Sequence, residues 1–309
     1  MHFGRVLGVA RDGSTAFSLG DVSAPMHPRS TNKLMQAAGM VSLGLDLSGE
    51  ALALSAASHW GQPKHVAAVR EVLGRSGLDE GALRCPPALP EDADAKRVAV
   101  ESRQPAARIF HGCSGKHAAM LRTCTINNWP RDEYLEPSHP LQEALRRFVE
   151  VTIGVPVSHV AIDGCGAPAW AMPLTQLVDA YRGAVTSDDR GSAMARVADA
   201  MRAHPDYVCG DASEVTGLMR AVSGLLVKDG AESVYVAALP DGRACAVKIS
   251  DGGFRAGQAV LVESLRALGV PDVPGVDAAE VDRWGSPPLS GHGPGHGSGH
   301  GVVIQAQIH

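Results

Sequence analysis

The sequence predicts a mixed α/β (α+β) chain, and three features predict it. Strand-like runs with tight turns stand near both ends of the body. Segments with helical apolar spacing fill the stretch between them. The hydrophobic fraction, 45% of 309 residues, is enough for a sizeable core. The elements follow in order. Residues 4–10 and 15–18 form a hairpin around the turn ARDGS, and the loop SAPMHPRS follows. From Thr31 a helix is expected, with Leu34, Ala38, Val41 and Leu45 at helical spacing. ALALSAA at 51–57 reads as a buried strand whose end delivers Ser58 and His59. A helix is expected at 64–73, a surface loop at 81–94, and a buried helix from Lys116 to Cys124. Residues 141–153 make an amphipathic helix with Pro140 just ahead of it. The run 157–168 is strand-like and breaks at glycines. Helices at 174–182, 190–203 and 213–221 lead to strands at 233–239 and 244–249, joined by LPDGRA, and a helix at 257–269.

Residues 1–269 read as a single catalytic domain, either one unit or two tightly joined lobes. Beyond Gly269 prolines and glycines accumulate, culminating in SGHGPGHGSGHG, so 270–309 is expected to be largely flexible. Its histidines offer weak metal binding, and the final VVIQAQI reads as an edge strand. The net charge is only -5 and the cations are scattered, which argues against a nucleic-acid or polyanion surface. No apolar run reaches the ~18 residues needed to cross a membrane. The N-terminal alternation suggests a strand and not a leader, so a cytoplasmic protein is expected. The six cysteines are spread without a CxxC pair, as in a reduced compartment.

Four places carry candidate chemistry. In RSTNK, Ser30 and Lys33 are three apart, and at a helix start both would share a face near its positive end. A neutral lysine can take a proton from a serine, as in the Ser-x-x-Lys acylases, although a helix-capping serine beside a surface lysine gives the same spacing. Ser58-His59 sits in a loop position suited to function or to capping. In FHGCSGKHAAM, Cys113, Lys116 and His117 converge on one helical turn, and Cys165 repeats the glycine setting in GCG. A metal site would combine the two cysteines with a nitrogen ligand; a thiol enzyme would use Cys113 with His117 as base; two buried cysteines are the plain structural alternative. Lys228 precedes an expected turn in LLVKDGAE.

Taken in order, RSTNK, ALSAASHWGQPKH, HGCSGKHAAML, IDGCGAPAWAMPL, RAHPDYV, GLLVKDGAE and VKISDGG resemble the L-asparaginase family typified by the thermolabile, inducible enzyme of Rhizobium etli. They run from about residue 5 to about residue 268. The resemblance implies a fold similar to serine β-lactamases and glutaminases: an antiparallel sheet flanked by helices, with a helical second lobe. It implies two Ser-Lys pairs, Ser30 with Lys33 and Ser58 with Lys228. It implies Zn2+ held by Cys113, Lys116 and Cys165, with Asp163 next to metal and substrate. Arg29, His59 and His117 join Asp163 as expected substrate-binding residues. The implied protein is a homodimeric L-asparagine amidohydrolase; a related amidase such as a glutaminase, or a non-catalytic amino-acid or metal-binding homologue, is the alternative.

Overall fold

The computed structural model describes residues 2–285. The chain opens with the hairpin β1 (Gly4–Val9) and β2 (Thr15–Leu19). A 3-10 turn, Arg29–Asn32, leads into α1 (Lys33–Ser42). Then come α2 (Gly49–Ser55), α3 (Pro63–Gly74), α4 (Ala93–Glu101), α5 (Ser114–Ile126) and α6 (Pro140–Ile153). A second hairpin, β3 (Val160–Ile162) and β4 (Pro168–Trp170), precedes α7 (Leu174–Thr186), α8 (Ala193–Ala203), α9 (Pro205–Val208) and α10 (Glu214–Ala221). Strands β5 (Leu226–Gly230), β6 (Val234–Ala238) and β7 (Ala244–Ile249) follow, then α11 (Phe254–Ala267) and α12 (Ala278–Gly285).

Five strands form one antiparallel sheet in the order β2-β1-β7-β6-β5, so the first strand pairs with one from far along the chain, at Ala244–Ile249. All five residues of β6 are buried, so both faces of the sheet are covered, and α7 and α11 pack on it. This explains why β6 and β7 read as apolar runs without polar alternation. Away from the sheet, α1, α2, α3, α5, α6 and α8 pack on one another. Helix α5 is buried from Ser114 to Leu121, so it lacks a polar face. Its Gly115 has a packing reason: a Cβ there would stand 2.6 Å from the Leu54 side chain and carbonyl. The glycine of CSGKH thus lets α5 cross α2 closely.

Three expectations change. ALALSAA is helix α2, not a strand: alanine and leucine are the strongest helix formers, and burial on several sides hides the period. Helix α4 begins inside the expected 81–94 loop, with the Asp92 side chain accepting from Ala95 N–H. Residues 226–230, not expected as a strand, form β5, fully paired with β6, and Lys228 lies in it ahead of the expected turn at 231–233. The body also continues past Gly269: α12 packs on α10 and α11 through buried Val281. The His-Gly run and VVIQAQI lie outside the described residues.

Candidate active site

A cavity of about 470 Å³ opens where several segments of the chain meet. Arg29 and Ser30 come from the turn before α1, and Ser58 and Trp60 from the segment after α2. His111 and Cys113 lead into α5, and Asp163 and Cys165 sit in the β3–β4 connection. Glu214 begins α10, and Asp229 and Ala231 end β5.

The segment carrying Ser58 is fixed on both sides. Ser58 N–H donates to Val208 O at 2.8 Å, Trp60 N–H to Cys209 O at 2.9 Å, and His59 N–H to Gly112 O at 3.0 Å. Ser58 Oγ accepts from two lysines, Lys33 Nζ at 3.1 Å and Lys228 Nζ at 2.9 Å. Both lysines are almost wholly buried. Lys33 also donates to Ala57 O, and among the described residues it has no carboxylate partner. Lys228 is bonded to the Asp229 carboxylate as well. Although burial acts against it, the Lys228 charge holds the Asp229 carboxyl below its ordinary range.

The bond expected between Ser30 and Lys33 is not the one that forms. Ser30 lies in a 3-10 turn ahead of α1, and the Lys33 amine goes instead to Ser58 and the Ala57 carbonyl. Helix C-termini leave carbonyls that favour a cation, and Ala57 follows the end of α2. Ser30 still faces the cavity. Its turn is held by Tyr181 OH on Thr31 O at 2.7 Å and by the close passage of β5. A Cβ on Gly230 would meet Pro28 O at 2.9 Å and Ser30 N at 3.2 Å. Among the described residues the Ser30 and Ala231 N–H groups have no backbone acceptor.

On the other side, α5 starts with Cys113 at its cap, which brings Lys116 within 3.2 Å of Cys165 Sγ. Cys165 is delivered by a tight turn, with Asp163 N–H on Ala167 O at 2.9 Å and Gly166 in the left-handed region. A hydrogen bond from Cys113, joined by the Lys116 charge, drives the Cys165 thiol far below its ordinary value. The Cys113 thiol rises in response, through that bond and its burial. Burial alone would lower Lys116, but the neighbouring sulfurs and Asp163 raise it. These directions favour an ammonium–thiolate pairing of Lys116 with Cys165, with a second sulfur beside it. All six cysteines are unpaired. Among the described residues no three His, Cys, Asp or Glu side chains cluster as metal ligands. Two adjacent sulfurs and an amine are nevertheless a donor set that zinc accepts.

Arg29 joins the two sides. It has a left-handed φ of 52° and binds Asp163 at 2.8 Å and Glu232 at 3.0 Å. Its guanidinium is therefore already matched by two carboxylates. His59 and His117 do not line the cavity. Both are fully buried, His59 bonded to Ser114 Oγ at 2.8 Å and His117 to Tyr134 OH at 2.7 Å. Burial holds both imidazoles below their ordinary value. His117 Nε2 has no hydrogen-bond partner.

Sequence reasoning missed His111, Trp60, Glu214 and Asp229. Two of them left a signal, since His111 is two residues from Cys113 and Asp229 follows Lys228. Burial lowers the His111 imidazole to about 4. Its Nδ1 accepts from Cys113 N–H at 3.0 Å, so the neutral ring carries its proton on Nε2.

A family model described as L-asparaginase II matches residues 1–299. The chain belongs to the L-asparaginase II family. This is a family of amidohydrolases. Solved structures of a protein named Mglu show a distant likeness. Its native form in 4.3 M NaCl is 14% identical with a TM-score of 0.38, over 85% of this chain and 60% of that one. Its glutamate form is 15% identical with a TM-score of 0.36, over 85% and 61%. The chain therefore spans about three fifths of the length of these structures. No curated protein matches the sequence. Among the described residues no helix is long and apolar enough to cross a membrane.

Proposed function

We propose that the protein hydrolyses the side-chain amide of L-asparagine to L-aspartate and ammonia through a serine acyl-enzyme, as an enzyme of the Rhizobium etli type. The observation that carries this reading is Ser58 Oγ held between Lys33 and Lys228 in a cavity that Ser30 also lines. Ser30 Oγ attacks the amide carbon. Lys33, the lysine without an anion beside it, takes the serine proton by way of Ser58 Oγ, to which its amine is bonded. Ser58 bonds both lysines and passes a proton to the departing nitrogen, so the C–N bond breaks and ammonia leaves. The Ser30 and Ala231 N–H groups, both free of backbone acceptors, receive the oxyanion. Water then cleaves the ester and restores Ser30.

Zinc bound by Cys113, Cys165 and Lys116 would supply a fixed positive charge beside the substrate. Lys116 must give up its proton to serve as a ligand, which the thiolate pairing opposes until the metal replaces the proton. The orphaned His117 Nε2 lies beside the same sulfur and supports a polar, ligand-ready corner. A β-lactamase-like fold belongs to the same proposal, supported by the antiparallel sheet and by Ser-x-x-Lys leading into α1. A cytoplasmic homodimer completes it, with the six unpaired cysteines in favour of a reducing compartment.

The test is ammonia release from L-asparagine and L-glutamine side by side, with intact-mass and peptide mapping after an acid quench. An aspartyl adduct on Ser30 that is lost in Ser30→Ala supports the assignment. An adduct on Ser58 that survives Ser30→Ala reverses it. Release from glutamine alone shifts the substrate, and release from neither ends the hydrolase reading for these two amides.

A further inference from the structure

Glu214 takes no part in the reaction just described, yet it faces the same cavity. It is the first residue of α10 and its carboxyl accepts a bond from Tyr235 OH at 3.3 Å. Two of the other acids around the cavity are matched, Asp163 by Arg29 and Asp229 by Lys228. Glu91 also lines the cavity and burial raises its carboxyl too, but it is the more exposed of the two acids without a cation. Among the described residues Glu214 has no lysine or arginine within ion-pair distance. Burial, and after it the Asp229 charge, raises its carboxyl above the ordinary range. A sequestered carboxylate without a cation is unfavourable, so a ligand that brings one is favoured there.

Trp60 completes the wall. Its indole lies against the backbone at Gly210, where a Cβ would stand 2.6 Å from a ring atom, and it lines the cavity. The bond from Trp60 N–H to Cys209 O ties this side chain to the chain that leads into α10. An anion and an aromatic ring lining one cavity suit an ammonium group.

We propose that Glu214, with the Trp60 indole, receives the α-ammonium group of the substrate and so restricts the enzyme to amides of free amino acids. This rests on the amidohydrolase reading above. It gives the cation-binding role to Glu214, since Arg29 is itself a cation matched by two carboxylates.

The experiment compares L-asparagine with succinamic acid, which has hydrogen in place of the α-ammonium group, in the wild type and in Glu214→Gln. Calorimetric binding of L-aspartate and succinate runs beside it. The wild type is expected to prefer asparagine by about 100-fold in kcat/KM, since a site built for a polar group rejects the analogue that lacks it. In Glu214→Gln that preference should shrink to about fivefold, through a higher KM for asparagine, while succinamate turnover stays within about threefold of wild type. Unchanged succinamate turnover also shows that the variant is folded. A wild type that binds succinate as tightly as aspartate overturns the proposal, and so does a variant that keeps the full preference. If the wild type hydrolyses neither amide, the hydrolase reading falls, and the aspartate–succinate comparison still decides the ammonium site. If Glu214→Gln does not fold, the same comparison is run on Glu214→Met, and a variant that keeps the full preference overturns the proposal.

Discussion

Lys33 and Lys116 are both almost wholly buried and both serve the same cavity, but one touches only neutral oxygens and the other a thiolate. Lys228 sits between these cases, sharing Ser58 with Lys33 while bonded to the Asp229 carboxylate. A buried amine with no anion beside it is free to accept and return a proton. A buried ammonium locked to a sulfur keeps its proton until another cation takes its place. On the proposed reading the partner, and not the depth of burial, divides the cavity into a proton-transfer side and a metal-binding side.

The comparison breaks most sharply at Lys33. Lys33→Met keeps the bulk and removes the amine, and should lower kcat/KM by roughly 10³-fold, within the range for loss of a general base. Metal content should stay at the wild-type level. Activity within tenfold of wild type would remove Lys33 as the base and move that role to Lys228.

Cys165→Ser tests the other side. Zinc content should fall from one per chain toward none, measured on a chain truncated before Ser290 so that the His-Gly run adds no binding. Turnover should drop about 10–100-fold, as for losses around a metal site. The variant also leaves the Lys116 ammonium buried without its thiolate, a defect worth about 3–5 kcal/mol in metal-free protein. In the wild type, zinc affinity should rise with pH, because each ion must displace the protons of Lys116 and Cys113. An affinity that is flat with pH would exclude Lys116 as a ligand.

Asp229→Asn makes Lys228 resemble Lys33. We expect a loss of about tenfold in kcat, as the two amines on Ser58 become alike and the direction of transfer is lost. The sign of the stability effect follows from the depressed Asp229 carboxyl. Its stabilisation is present above the ordinary carboxylate value of about 4 and disappears as pH falls through the folded value. Wild type and variant should therefore differ in thermal stability at neutral pH and converge in acid.

These contrasts show what was legible in the sequence. Spacing and glycine setting singled out Ser30, Lys33, Cys113 and Lys116 one by one, because each sits in a short, unusual stretch. Spacing did not give the partner of Lys33. Ser58 lies 25 residues away, and the contact exists only because α2 ends with its carbonyls turned toward α1. Reading ALALSAA as a strand hid that helix end. Glu214 and Trp60 left no local trace at all: they come to one cavity through pairings such as Trp60 N–H to Cys209 O, and pairings across long separations carry no sequence period. The sheet was more readable, since its hairpin turns are local, yet β5 was missed because its edge carries Lys228 and Asp229.

The smallest effect concerns Arg29, which ties the two sides together. Asp163 belongs to the thiol side, and Glu232 to the turn after β5 on the lysine side. The Glu232 side chain is 61% exposed, so water and salt screen its bond to Arg29. Glu232→Gln should therefore cost no more than about threefold in kcat/KM, in keeping with an exposed pair of about 0–1 kcal/mol. Raising salt should bring the wild type toward the variant, since screening removes the same attraction. Asp163→Asn acts on a bond that is 2.8 Å long and much less exposed, so it should cost more and respond less to salt. The pair of variants measured across ionic strength then reads how firmly Arg29 is anchored on each side. Equal losses, with equal salt dependence, would show that Arg29 is held by the backbone turn at φ 52° and not by its two carboxylates.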